Sequence, residues 1–225
     1  MLVPQGVMVT DFASLRERMV RRQIAARGLR DPLLLDAFRS VPREMFVPPD
    51  EQARAYEDHP LPIGAGQTIS QPYIVALMIA EAGIGSRDRV LEVGAGSGYA
   101  AAVIGRIAAA VVAIERHPQL ALEARERLAK LGFGNIEIVE GDGSRGWPAA
   151  APFDIILAAA SGSHVPPPLI DQLAPGGRLV MPVGRPGDVQ QLVRVTKRRD
   201  GRLEHSDLGP VRFVPLIGEE GWSDA

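Results

Sequence analysis

Apolar positions follow two different rhythms along this chain. Up to residue 83 they recur three and four apart in segments cut by proline and glycine, which predicts helices and loops. Ser14-Leu15-Arg16-Glu17 has capping-box spacing and predicts a helix start, with Gly28 as its end. Asp31-Pro32 opens a second helix with Leu34, Leu35 and Phe38 on its apolar face, and Pro42 stops it. His59 to Ser70 reads as a loop rich in glycine and proline, and Pro72 opens a third helix that runs to Gly83.

From Arg89 the rhythm changes to short apolar runs separated by helical-period segments. Strands are predicted at Val90–Val93, Val111–Glu115, Ile136–Val139, Phe153–Ala158 and Arg178–Val183, with helices from about Tyr99, from Pro118 and just before Pro175. This alternation predicts an α/β fold with a doubly wound, mostly parallel sheet. After Gly187, Leu192–Thr196, a turn at Asp200-Gly201 and Val211–Leu216 read as antiparallel strands. The expected organisation is a single domain, 1–225. Within it, residues 1–83 form a helical cap with a loop, 84–185 a nucleoside-binding core, and 186–225 the closing strands.

The chemistry concentrates where the first core strand ends. Val90-Leu91-Glu92-Val93 runs into Gly94-Ala95-Gly96-Ser97-Gly98-Tyr99, a strand, glycine turn and helix start. A dinucleotide fingerprint needs a small third residue, but Tyr99 stands there, so a nicotinamide cofactor is disfavoured. Glu92, two residues before the first glycine, gives nothing to a pyrophosphate and suits a cationic ligand. Glu115 follows Gly94 by 21 residues, the separation at which an acid reaches a ribose hydroxyl pair. S-adenosylmethionine carries an ammonium, a sulfonium and a ribose, so Glu92, Gly94, Ala95, Gly96, Ser97, Gly98 and Glu115 read as its binding set.

Composition narrows the classes. The chain has 225 residues, 46% of them hydrophobic, which is enough for one sizeable core. Its net charge of −2 gives no bulk field for nucleic acid or an anionic membrane. It has no cysteine, which excludes disulfides, a cysteine nucleophile and thiolate metal sites. Met1 to Phe12 lacks the features of a signal peptide, and no apolar run reaches membrane-spanning length, so a cytoplasmic protein is expected. His59, His117, His164 and His205 lie in separate segments without ligand spacing, so no metal is expected, and His164 reads as a surface loop residue. Trp147 and Trp222 read as packing residues, and Arg16, Arg18, Arg21 and Arg22 as a solvated helix face.

Further segments make a family resemblance specific. Pro62-Ile63-Gly64-Ala65-Gly66-Gln67-Thr68-Ile69-Ser70-Gln71-Pro72 resembles the signature of protein-L-isoaspartate O-methyltransferases, in which that loop covers the active site. Val41–Val47, Gly141-Asp142-Gly143, Pro152-Phe153-Asp154 and Val211–Leu216 resemble the same family, in the same order. Ala95 departs from it, standing where threonine is common. The resemblance implies a class I, Rossmann-like methyltransferase that uses S-adenosylmethionine. Its substrate would be the free α-carboxylate of L-isoaspartyl residues in aged proteins and peptides, and the ester would then close to a succinimide. It further implies that Asp142 and Gly143 hold the adenine. Ser70 would orient the substrate carboxylate, with Thr68, Ile69 and Val214 beside it. Ser70 also fits a second role, as a cap for the helix opened by Pro72. A monomer is expected, with no nucleic-acid or membrane partner. The alternatives are a methyltransferase for another carboxylate, such as an aspartate in one peptide, and a non-catalytic module that binds S-adenosylmethionine and senses damage.

Overall fold

The computed structural model describes residues 10–223. Most of the Met1–Phe12 segment read for a leader therefore lies outside the described residues. The first helix, α1 (Phe12–Met19), starts earlier than the capping-box pattern suggests. Asp11 is its cap, accepting the Ser14 amide at 3.0 Å, while the Ser14 hydroxyl donates to the same carboxylate. A serine already inside the first turn cannot cap it. The helix continues through a wide π turn, Val20–Ile24, and a tight 3-10 turn, Ala25–Arg27, to Gly28. In α2 (Pro32–Ser40) Asp31 caps as expected, accepting Leu33 and Leu34 amides at 2.8 and 3.2 Å.

Arg18, Arg21 and Arg22 are exposed, but Arg16 corrects the expectation of a solvated face. Its guanidinium turns inward to the Tyr56 hydroxyl at 2.8 Å and the Glu44 carboxylate at 3.1 Å. The expected loop ahead of Ser70 contains a hairpin, β1 (Leu61–Gly64) and β2 (Gln67–Ile69), paired Leu61 to Ile69 and Pro62 to Thr68. Its strands are too short to show alternation in the sequence, yet Leu61, Ile63 and Ile69 point into the core. Next, α3 (Pro72–Ala82) ends at Gly83.

The core elements follow as β3 (Arg89–Val93), α4 (Tyr99–Gly105), β4 (Ala110–Glu115), α5 (Pro118–Lys130), β5 (Ile136–Glu140), β6 (Phe153–Ala158), α6 (Pro167–Asp171) and β7 (Leu173–Val183). Then come β8 (Gln190–Lys197) and β9 (Leu203–Val211). The sheet order is β5-β4-β3-β6-β7-β8-β9, parallel from β5 to β7 and antiparallel at β8 and β9. The chain winds outward from β3 to β5, then returns to β6 on the other side of β3. That reversal opens a crevice beyond the carboxyl ends of β3 and β6.

Alternate strand residues fill two buried faces, which is why the core strands read as unbroken apolar runs. Val90, Val111, Ile138, Ile155 and Val180 join the cap residues Met19, Phe38 and Phe46 in one cluster. Leu91, Val112, Val139, Ile156 and Leu179 form the other, which Trp147 packs against. The last strand differs from expectation. β9 ends at Val211, and residues 212–216 leave the sheet, meeting Ser161 through an isolated bridge at Pro215. The true strand, Leu203–Val211, is an edge with mostly polar, half-exposed residues, so no apolar alternation marks it. Among the described residues no helix is long and apolar enough to cross a membrane.

Candidate active site

A cleft of about 1130 Å³, counting the solvent at its mouth, opens at the β3–β6 reversal. One wall is the turn after β3. The Gly94 and Ala95 amides both donate to the Ile114 carbonyl at 2.9 Å, tying the turn to β4. Gly94 has φ 86° and Gly96 φ 53°, left-handed conformations that favour glycine. Ser97 and Ala95 also line the cleft, both nearly buried. Gly98 does not. A Cβ there would meet Ala124 Cβ at 3.3 Å and Leu128 Cδ1 at 3.4 Å, so its absence lets α5 pack closely. The structure thus places Gly98, read as a cofactor residue, against α5 and outside the cleft lining.

Both acids line the cleft and are buried. Glu115 Oε2 accepts the Gly96 amide at 2.8 Å and Oε1 the His117 amide at 2.9 Å, so this strand-end acid also fixes the glycine turn. Each oxygen keeps a second lone pair. Glu92 Oε2 is buried with no hydrogen-bond partner. Burial, and then the neighbouring Glu115 charge, push its carboxyl up to about 8. An orphaned acid of this kind is what a cationic ligand would satisfy. The two acids, one with an orphaned buried oxygen, and the glycine turn that lines the cleft together fit S-adenosylmethionine.

Asp142 itself does not line the cleft. Gly143 lines the cleft, but the Asp142 carboxylate faces the chain's end. Oδ1 accepts the Ser144 amide at 2.9 Å and hydroxyl at 2.7 Å, and Oδ2 the Glu219 amide at 2.8 Å. Burial pushes this carboxyl upward, but those donors outweigh it and hold it below its ordinary value. A Cβ on Gly218 would overlap the same carboxylate, so the last segment lies close against it. Trp222 donates from Nε1 to the Ser161 carbonyl at 2.9 Å, which gives this tryptophan a tethering role as well as packing.

The opposite wall holds Thr68, Ile69 and Ser70 from the hairpin and Val214 from the segment after β9. Leaving the sheet at Val211 is what brings Val214 there. Ser70 does not cap α3: Gln71 is the capping position, and no side chain bonds the first turn. The Ser70 carbonyl accepts from Arg43 Nη2 at 2.8 Å. His164 is exposed and bonded to the neighbouring Ser163. His117, by contrast, lines the cleft, as do Val75, Met78 and Ile79 of α3. Nothing in the sequence marks the α3 residues, because that helix is apolar almost all round. His117 follows Glu115 by two positions, and that proximity to the strand end was an available clue.

Comparison with known proteins agrees with this geometry. A family model described as protein-L-isoaspartate(D-aspartate) O-methyltransferase matches residues 14–221. A protein-L-isoaspartate O-methyltransferase 1 from Rhodopseudomonas palustris (strain HaA2) is 58% identical, covering 95% of this chain and 87% of that protein. The protein-L-isoaspartate O-methyltransferase from Methanoculleus marisnigri is 56% identical over 92% of this chain and 93% of its own length. A solved protein-L-isoaspartate O-methyltransferase superposes with a TM-score of 0.83 at 30% identity, over 92% of this chain and 67% of that one. A Plasmodium falciparum chain, solved in complex with S-adenosyl-L-homocysteine, gives a TM-score of 0.78 at 25% identity, over 93% of this chain and 99% of that one. The chain belongs to the protein-L-isoaspartate(D-aspartate) O-methyltransferase family.

Proposed function

We infer that this protein methylates the free α-carboxylate of L-isoaspartyl residues in damaged proteins and peptides, with S-adenosylmethionine as donor. The methyl ester then closes to a succinimide, which begins repair. One observation carries the reading: a single cleft is walled on one side by the glycine turn with Glu92 and Glu115, and on the other by Thr68–Ser70 and Val214.

Bound S-adenosylmethionine supplies a methyl group made electrophilic by its sulfonium. Glu92 holds its cationic methionine end, Glu115 its ribose hydroxyls, and the backbone from Gly94 to Ser97 the surface it lies against. Gly143 and the Asp142 turn border its adenine. The substrate wall, from Gln67 to Ser70 and from Val214 to Ile217, presents no titratable side chain among the described residues. That suits a nucleophile already ionised at pH 7, which needs no base. The task left to this wall is placement for in-line attack, with the Ser70 hydroxyl donating to the substrate carboxylate. The protein acts as a monomer in the cytoplasm, with polypeptides rather than nucleic acid or membrane as partners. Incubation with radiolabelled S-adenosylmethionine and paired isoaspartyl and aspartyl peptides tests the reading. Label is expected in the isoaspartyl peptide alone; label in both, or in neither, overturns it.

A further inference from the structure

Behind the substrate wall lies a cation that the reaction chemistry above does not use. Arg43 follows α2 in a short 3-10 turn and is 0% exposed. Its Nε donates to the Ala55 carbonyl at 2.7 Å and its Nη2 to the Ser70 carbonyl at 2.8 Å. Nη1 is buried with no hydrogen-bond partner. The guanidinium carbon lies 4.7 Å from the centre of the Tyr99 ring, and Tyr99 lines the cleft. The Tyr99 hydroxyl is likewise buried without a partner.

Among the described residues no carboxylate pairs with this charge. The neighbouring Glu44 is committed to Arg16, at 3.1 Å, and to the Tyr56 hydroxyl. Burial pushes the Arg43 guanidinium down from its ordinary value, but its delocalised charge is not given up in a protein interior. An uncompensated buried cation is costly unless something pairs with it. Both neutral acceptors it does have are backbone carbonyls, and one belongs to Ser70.

We propose that Arg43 is a positioning residue for the substrate carboxylate: it fixes the Ser70 backbone in the cleft wall and makes that wall favour an anionic group over a neutral one. The inference rests on the reading that Ser70 meets the isoaspartyl carboxylate. It concerns discrimination by charge, which a residue holding only the fold together would not provide. Lysine at this position keeps the charge but lacks the planar fork needed to reach both carbonyls in one geometry. Methionine keeps the volume and removes the charge.

The test is calorimetry on wild type, Arg43→Lys and Arg43→Met with S-adenosylhomocysteine present. Two ligands are compared: an isoaspartyl peptide and the same peptide with its α-carboxylate replaced by carboxamide. Arg43→Met should lose about tenfold or more in affinity for the carboxylate peptide, the worth of one interaction with a charged group. Its affinity for the carboxamide peptide and for S-adenosylhomocysteine should stay within about threefold, a change too small to represent a lost charged contact. Arg43→Lys should recover part of the loss. Equal losses for both peptides, unchanged binding in Arg43→Met, or loss of S-adenosylhomocysteine binding in both variants would make Arg43 a fixture of the fold and overturn the proposal. A failure of the functional reading shows instead in the wild type, as no methyl transfer to isoaspartyl peptide.

Discussion

At the scale of single residues, the cleft is organised by acids whose surroundings differ. Glu115 is held by two backbone amides and stays available as an acceptor, so Glu115→Ala should weaken S-adenosylhomocysteine binding by about 1–3 kcal/mol, measured by calorimetry. Part of that loss would come from the Gly96 amide left without its partner. Glu92 is the opposite case, with its carboxyl pushed up to about 8 from an ordinary 4.5 by burial and then by Glu115. In the unfolded chain this group loses its proton near its ordinary value, whereas the ligand-free fold keeps it until about pH 8. Stability should therefore fall as pH rises through that window and level off above it. Urea unfolding of Glu92→Gln beside the wild type should show the difference growing between those limits; a constant difference would remove Glu92 as its source. Ser70→Ala should lower kcat/KM by about tenfold to a few hundredfold, the worth of a hydrogen bond to a charged group. Because Ser70 caps nothing in α3, its melting temperature should match the wild type's.

At the scale of elements, two short segments that leave the regular framework complete the cleft. The β1–β2 hairpin supplies Thr68 to Ser70, anchored through Leu61, Ile63 and Ile69 in the core and through Arg43 at its end. The chain after β9 supplies Val214 and then folds back, its Glu219 and Glu220 amides bonded to Asp142 and to the Ser144 hydroxyl. Asp142 thus joins the third core strand's loop to the end of the chain beside the expected adenine site. Asp142→Ala should speed hydrogen exchange at the Glu219 amide by about tenfold or more, the cost of one bond to a carboxylate. Ser144→Ala should free the Glu220 amide but leave Asp142 its charge. If S-adenosylhomocysteine affinity falls in the first variant and holds in the second, Asp142 serves the adenine as well as the tether. Equal loss in both would leave it a tether alone.

At the scale of the whole molecule, the cap, the hairpin and one face of the sheet share a continuous hydrophobic cluster. Ligand binding in a cleft bounded by all of them should stabilise the entire chain. With S-adenosylhomocysteine at about 100 times its Kd, the gain is about 2.7 kcal/mol. For a chain of this size that is a rise in melting temperature of roughly 5–11 °C. Scanning calorimetry should show one transition moving by that amount, and a smaller shift for Glu115→Ala at the same ligand concentration. A transition that splits, with only part of it moving, would mean that the cap and the core unfold separately.

The sequence by itself determined the elements that depend on local signals. Proline and glycine bounded α2 and α3, and apolar runs long enough to be buried on both faces marked β3 to β7, so the parallel core and its glycine turn were legible. It also placed Glu92 and Glu115 at strand ends, because strand ends follow from the same pattern. Tertiary structure decided what depends on distant partners. Asp11 rather than Ser14 caps α1, Gly98 serves packing against α5, and Asp142 is engaged by Glu219, 77 residues further on. Arg16 turns inward because Glu44 and Tyr56 wait there, and Arg43 reaches a carbonyl 27 residues along. β9 was hidden because an edge strand with half-exposed residues needs no apolar alternation. A hydrophobic period reports burial along one segment; which buried polar atoms meet is fixed only when separate segments pack.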